Sequence, residues 1–327
     1  MEIRILRAAD VHALLPMSEC IDVMHRTMGA VSAGRVVLPL RSILMMPGDR
    51  GMMGNMPSYL GEPECFGVKL VSLMPHNKPP QYSSHLGIVL LFEIEHGQPV
   101  AMLDGAQITA IRTAAASGLA TRLLAKPDAS CLGILGAGEQ ASSHLTAMLC
   151  VRKLNTVRVW ARDLAKATEF ARVEGGKHGI TIDVAPTPRD AVAGADIICT
   201  VTKAREPILL GEWVEPGAHL NVVGSSVAST AEIDTATVVK SRFFADYRSS
   251  TITEGGDYLR ALRSGAITSD HILAEIGEVA NGTKVGRTSA RDVTLYKSLG
   301  IAPQDLASAH YVLEKARARG IGQVIEF

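Results

Sequence analysis

Two kinds of chemistry-bearing residue lie close together early in the chain. One is a lone arginine, Arg112, inside the apolar segment TAIRTAAAS; the other is the glycine-rich turn Gly136-Ala137-Gly138-Glu139-Gln140-Ala141. The turn follows a short apolar run, Cys131 to Leu135, and leads directly into a helix-like segment. This pattern suits the pyrophosphate of a dinucleotide. The first glycine permits the tight turn, the second lets backbone approach the phosphates, and a small third residue, here Ala141, lets the helix pack on the strand. An ordinary glycine turn is the alternative reading, and the strand before, the helix after and the second strand beyond it weigh against that.

The second strand of such a unit decides which dinucleotide fits. An acidic residue at its end hydrogen-bonds the ribose hydroxyl of NAD, whereas an arginine nearby accommodates the 2′-phosphate of NADP. Here the strand ends Val159-Trp160-Ala161-Arg162-Asp163, with Lys166 as a second cation one helical turn further on. Asp163 stands one place late and suits the N-cap of a helix starting at Leu164. The reading is NADPH, with NADH possible, because a guanidinium gains charge-assisted and often bidentate bonds to a phosphate. A solvated surface role is the alternative for Arg162.

Three cations sit among apolar neighbours: Arg41 in LPLRSILMM, Lys69 in FGVKLVSLM, and Arg112. Buried cations need partners. The carboxylate of a small substrate would serve; so would an internal acid such as Glu62, Glu64 or Asp104. Ser84-His85 precedes a strand-like run, and a lone histidine there is as readily a hydrogen-bonded surface residue as a functional one. No His/Cys/Asp/Glu grouping has metal-ligand spacing, so no metal is expected. No Gly-x-Ser-x-Gly elbow is present either.

Two domains are expected from the 327 residues. Lysine plus arginine equals aspartate plus glutamate at 33 each, so no global field draws nucleic acid. The five cysteines are scattered without a Cys-x-x-Cys, as in a reducing compartment. The first residues lack the pattern of a signal peptide and no run is long enough to span a bilayer, which together point to a soluble cytoplasmic protein with no membrane partner.

The pattern of elements places the chemistry. A helix-like segment at Ser18–Ser32 is followed by strand-like runs at Leu38–Met46, Cys65–Leu73, Gly87–Ile94 and Val100–Leu103, separated by glycine and proline. Consecutive strands imply a mixed or antiparallel sheet. A helix from Gln107 to Leu124 then leads to an alternation of strands, at 131–135, 156–160, 180–184, 197–202, 219–223 and 242–245, mostly with helical patterns between them, including Leu164–Glu174 and Arg189–Ala193. That is the signature of a doubly wound parallel sheet. A segment at Leu273–Val279 precedes a final helix, Leu306–Arg319. The expected class is α/β: a Rossmann domain over 116–299, and a mixed α+β domain made of 1–115 and 300–327.

Taken together, MLDGAQITAIRTAAAS, LGAGEQA, EPILLGEWVEPGAHLNVVGSS, AEIGEVANG and YKSLGIAPQDLASA resemble the ornithine cyclodeaminase and mu-crystallin family, in family order over nearly the whole chain. The resemblance implies a homodimer whose mixed domain binds substrate and dimerises. It implies that Arg41, Lys69 and Arg112 surround the carboxylate of a small imino or amino acid, and that Ser84, His85, Thr200, Thr202 and Val223 lie along the cofactor. It also points to a branch. Family members that deaminate or oxidise amino acids carry an aspartate where Val223-Gly224-Ser225-Ser226 puts Ser226, and a serine hydroxyl cannot balance an ammonium or take its proton at neutral pH. The ketimine reductase branch is implied, acting on Δ1-pyrroline-2-carboxylate or Δ1-piperideine-2-carboxylate, with Lys69 or a water held by Ser226 supplying a proton. Ornithine cyclodeaminase or alanine dehydrogenase activity, and NADPH-dependent ligand binding of the mu-crystallin type, are the alternatives.

The cofactor reading carries a direct test. Removing a charge-assisted hydrogen bond costs ~1.5–3 kcal/mol, so Arg162→Ala lowers the NADPH over NADH specificity ratio about tenfold or more. A ratio near unity that the substitution leaves unchanged would refute the assignment.

Overall fold

The computed structural model describes residues 2–77 and 81–326, and the chain divides into two compact units: Met1–Arg112 with Ile301–Phe327, and Thr113–Gly300.

In the first unit the chain forms strands β1 (Glu2–Leu6), β2 (Val36–Val37), β3 (Ser42–Met45), β4 (Met52–Gly61), β5 (Glu64–Leu73), β6 (His85–Phe92) and β7 (Pro99–Asp104). Helices α1 (Ala8–Leu14) and α2 (Met17–Ser32) lie between β1 and β2 in sequence. The C-terminal strand Gln323–Glu326 leads a sheet that continues β1-β7-β6-β5-β4-β2, with β3 also on β4. Only the β1–β7 pair is parallel among the described residues, so the sheet is mixed, as consecutive strands imply. The C-terminal helix Ala302–Arg319 packs on β4, β5 and β6 and on α2, burying Leu306, Ala309, Val312 and Leu313. The β6–β7 connection is the expected turn, where the Glu93 carboxylate accepts the N–H groups of Glu95, His96 and Gln98.

In the second unit helix α3 (Gly105–Leu124), which begins in the first, leads to β8 (Cys131–Leu135), α4 (Glu139–Val151), β9 (Thr156–Trp160), α5 (Leu164–His178), β10 (Asp183–Val184), β11 (Ile197–Thr200), β12 (His219–Val222), β13 (Ser241–Ala245), β14 (Ile272–Glu275) and β15 (Val293–Lys297). Their order is β10-β9-β8-β11-β12-β15-β13-β14, and every pairing is parallel. The order reverses between β8 and β11, and ligands of open α/β sheets bind outside the strand ends at such a switch point. The expected doubly wound sheet is therefore present. Among the described residues no helix is long and apolar enough to cross a membrane.

Several expectations about single elements fail for physical reasons. The run Leu38–Met46 is not one strand: β2 and β3 flank a break containing Pro39, which has no N–H to give a ladder. Strand β4 went unread because Gly54, Pro57 and Gly61 look like breakers. The strand read at 180–184 shortens to Asp183–Val184, and Leu273–Val279 splits between β14 and a short helix, Ile276–Ala280. The final helix starts at Ala302, because Pro303 falls in the first turn, where a missing N–H costs nothing. Helix α5 continues through Gly175 and Gly176 and stops at Gly179 in the left-handed region.

Asp163 is the N-cap of α5, its carboxylate accepting the N–H groups of Ala165 (3.1 Å) and Lys166 (3.4 Å). Asp163→Ala therefore lowers unfolding stability by about 1 kcal/mol, read as a lower urea midpoint at unchanged slope.

Candidate functional site

The glycine turn of the second unit is shaped by two different demands. Gly136 has φ +128°, and a Cβ there would sit 2.8 Å from the Val201 carbonyl oxygen, so only glycine fits between β8 and the chain leaving β11. A Cβ at Gly138 would meet nothing within 4 Å among the described residues, so no neighbour there explains that glycine. Gly138 is the N-cap of α4 and, having no side chain, gives no cap to the first turn of this helix. Ala141 is fully buried, as close helix–strand packing requires. Gln140 Oε1 is buried without a hydrogen-bond partner among the described residues. A pyrophosphate at this helix N-terminus fits the open Gly138 and the uncapped first turn, whereas Gln140 Oε1, an acceptor, calls for a donor.

Arg162 and Lys166 are exposed just beyond β9, while the Asp163 carboxylate is engaged in capping. Thr200 and Thr202 follow a different course: both hydroxyls donate to Glu232, each at 2.7 Å. Val223 is half-buried, its N–H donating to the Thr200 carbonyl. Ser226 is half-buried beside Ser225, whose hydroxyl donates to the buried Asp257 carboxylate.

The first unit holds the cation cluster. Lys69 on β5 and Arg112 on α3 are both buried, at 4% exposure, and both reach one oxygen of Asp305 on the C-terminal helix. Lys69 Nζ lies 3.1 Å and Arg112 Nε 2.9 Å from Oδ1, and Arg112 Nη1 donates to Gln304 Oε1 at 2.6 Å. Asp305 Oδ2 is buried and has no hydrogen-bond partner among the described residues. Two buried cations thus share one carboxylate, and the cluster carries an excess positive charge that a substrate carboxylate would neutralise.

Asp305 is the residue that sequence reasoning missed. The acids considered are occupied elsewhere: Glu62 lies 3.6 Å from Arg35, Glu64 accepts from the Tyr59 hydroxyl, and Asp104 accepts the Gln107 N–H. A charge in the first turn of a helix reads as solvated, and Asp305 stands 236 positions from Lys69 and 193 from Arg112. The one available signal was Gln304-Asp305 set among small and apolar residues in APQDLASA.

Arg41 corrects another expectation. Its apolar neighbours Leu40, Ile43, Leu44 and Met45 are exposed, and Arg41 itself is only half-buried. It still acts electrostatically on Lys69. The Lys69 ammonium is pushed down to about 8, chiefly by burial and further by Arg112 and Arg41, with Asp305 opposing. Ser84 Oγ lies 3.0 Å from His85 Nδ1 at the exposed start of β6, where His85 pairs with Leu73, away from the Lys69–Val89 rung of the same ladder.

A parallel sheet with a glycine turn at its switch point defines a dinucleotide-binding α/β protein. The chain belongs to the ornithine cyclodeaminase/mu-crystallin family, whose model matches residues 1–320. It is 34% identical over 324 residues to a Delta(1)-pyrroline-2-carboxylate reductase of Bacillus cereus, with 99% of each chain covered. It is 39% identical over 281 residues to the ketimine reductase mu-crystallin of Mus musculus, covering 86% of each. The solved Delta(1)-pyrroline-2-carboxylate reductase of Thermococcus litoralis, in complex with NADH and L-proline, superposes with a TM-score of 0.95 at 37% identity, covering 98% of this chain and 99% of that one. The chain is accordingly an oxidoreductase.

The Lys69 charge is held up by Asp305 alone among the causes named, so Asp305→Asn moves loss of the Lys69 proton to a pH below about 8. The Lys69 Nζ resonance followed through a pH titration reads this directly, and an unchanged midpoint would count against the coupling.

Proposed function

We propose that this protein reduces a small cyclic ketimine carboxylate, Δ1-pyrroline-2-carboxylate or Δ1-piperideine-2-carboxylate, to L-proline or L-pipecolate, with NADPH as the preferred donor. The observation that carries this reading is the excess positive charge of the buried Lys69–Arg112–Asp305 cluster. In a dry site such a cluster favours an anionic substrate strongly, and the guanidinium edge of Arg112 recognises a carboxylate directionally. Arg41 adds a third positive charge. The curated relatives reduce substrates of this kind by name, which supports the same class.

The dinucleotide, when bound, supplies a hydride to the imine carbon. The chain's own residues do the rest. Arg112, Arg41 and Lys69 hold the carboxylate, and fixing the substrate removes entropy from the barrier. The imine nitrogen must gain a proton; Lys69, brought to about 8, is matched to that task near neutral pH, with Ser226 able to hold a relaying water. Gly136, Ala137, Gly138, Glu139 and Gln140 receive the pyrophosphate, and Ser84, His85, Arg112, Thr200, Thr202 and Val223 serve the rest of the dinucleotide. Arg162 and Lys166, exposed cations beside a committed Asp163, support the 2′-phosphate. Dimerisation and most substrate contacts belong to the first unit, and most dinucleotide contacts to the second. Exposed Val37, Leu40, Leu44 and Met45 support a homodimer, since apolar patches on a folded surface mark association sites.

The deciding experiment follows NADPH absorbance with five- and six-membered cyclic imine carboxylates, and the reverse reaction with proline, alanine, lysine and ornithine. Turnover of the imines is the expected outcome. Release of ammonia from ornithine with catalytic NAD and no net reduction would overturn it.

A further inference from the structure

Two buried carboxylates of the second unit have no part in the chemistry above, and both grip the same turn. Glu232 is fully buried, and its two oxygens are shared between two strand ends. Oε1 accepts the backbone N–H (2.6 Å) and hydroxyl (2.7 Å) of Thr202, just beyond β11; Oε2 accepts the N–H of Gly224 (2.6 Å), just beyond β12, and the Thr200 hydroxyl (2.7 Å). Gly224 must be glycine for this clasp, because a Cβ there would sit 2.1 Å from the Thr202 carbonyl oxygen and 2.5 Å from Glu232 Oε1.

Asp257 holds the other side. Its Oδ1 accepts the N–H groups of Glu232 (2.7 Å) and Ile233 (3.1 Å), and its Oδ2 takes the Ser225 hydroxyl and Lys297 Nζ (2.8 Å), which also donates to Ser225 Oγ at 2.5 Å. Lys297 ends β15, fully buried. Burial pushes the Asp257 carboxyl up, but the charge and hydrogen bond of Lys297 and the Ser225 hydroxyl outweigh it and leave it low. Glu232 is held above the ordinary carboxyl range by burial, against its hydrogen bonds from Thr202 and Thr200 and the Lys297 charge.

A buried ion pair is weak evidence for stability, since apolar side chains of similar volume often serve as well or better. What this network does instead is fix geometry: it ties Val223–Ser226 to the carboxyl end of β11. Strand carboxyl ends beside a switch point are where such sheets bind ligands. We propose that Glu232 is a positioning residue for the dinucleotide, with Asp257 and Lys297 bracing the same turn from the opposite side. The inference rests on the reading of this unit as dinucleotide-binding.

The test exploits what an amide cannot do. In either protonation state a carboxyl group offers a lone pair on each oxygen, whereas the amide nitrogen of glutamine offers none. Glu232→Gln must therefore lose a backbone clasp, at Thr202 or at Gly224, whichever way the amide turns. Titration of wild type and variant with NADH and with NADPH, read by dinucleotide fluorescence without any imine present, gives the dissociation constants. Both should rise about tenfold or more, ~1.4 kcal/mol per tenfold. A lower melting temperature with unchanged dissociation constants would show a merely structural role and overturn the proposal. If Glu232→Gln does not fold, Ser225→Ala removes one brace and leaves Glu232 in place; a several-fold weaker affinity supports the proposal, and wild-type affinity overturns it. Because no imine enters the titration, failure of wild type to reduce any imine bears on the proposed reaction alone. Unchanged dinucleotide affinity beside intact imine turnover bears on Glu232 alone.

Discussion

One oxygen of Asp305 is the point on which the first unit depends. It takes Lys69 from the middle of a strand and Arg112 from a helix, and it sits on the helix that returns from the far end of the chain. Burying three charges costs several kcal/mol per ion, so the arrangement holds only because the geometry is close and Gln304 takes another edge of the guanidinium. Asp305 therefore does two things at once. It anchors the C-terminal helix against β5, and it keeps enough positive charge in reserve to favour an anion. The second Asp305 oxygen, buried without a partner among the described residues, shows that packing for stability alone does not account for the cluster.

The second unit solves a different problem, that of holding loops at the ends of a parallel sheet. Polar groups there are met from within the protein. Arg152 donates to the carbonyls of Thr121, Ala125 and Lys126, and Arg287 to that of Leu124, so two guanidiniums satisfy the C-terminal carbonyls of α3. Glu232 and Asp257 do the reverse at the strand ends, offering acceptors to backbone N–H groups. The glycine turn stands apart from this pattern, since its helix N-terminus has no side-chain cap and Gly138 faces open space. An uncapped helix N-terminus of this kind favours negative charge.

Legibility in the sequence tracked the range of the interaction. The strands at Cys131–Leu135 and Thr156–Trp160 and the turn between them were readable, because apolar runs, glycine placement and helix periodicity act within a few residues of one another. Asp163 was readable as a cap for the same reason. Strand β4 was not, because its partners on both edges supply what its glycines and proline withhold. Strand β15 was missed altogether: Val293–Lys297 ends in a lysine that reads as solvated yet is fully buried against Asp257.

By itself the sequence determined the doubly wound alternation, the glycine turn, the family, and three cations set among apolar neighbours, since each is written in local periodicity or in residue type. Only the tertiary structure decided which acid meets those cations and how the turn at Val223–Ser226 is held. Asp305 and Glu232 act through partners that closure of the fold brings within hydrogen-bond reach, and no local pattern encodes a contact between charges so far apart along the chain.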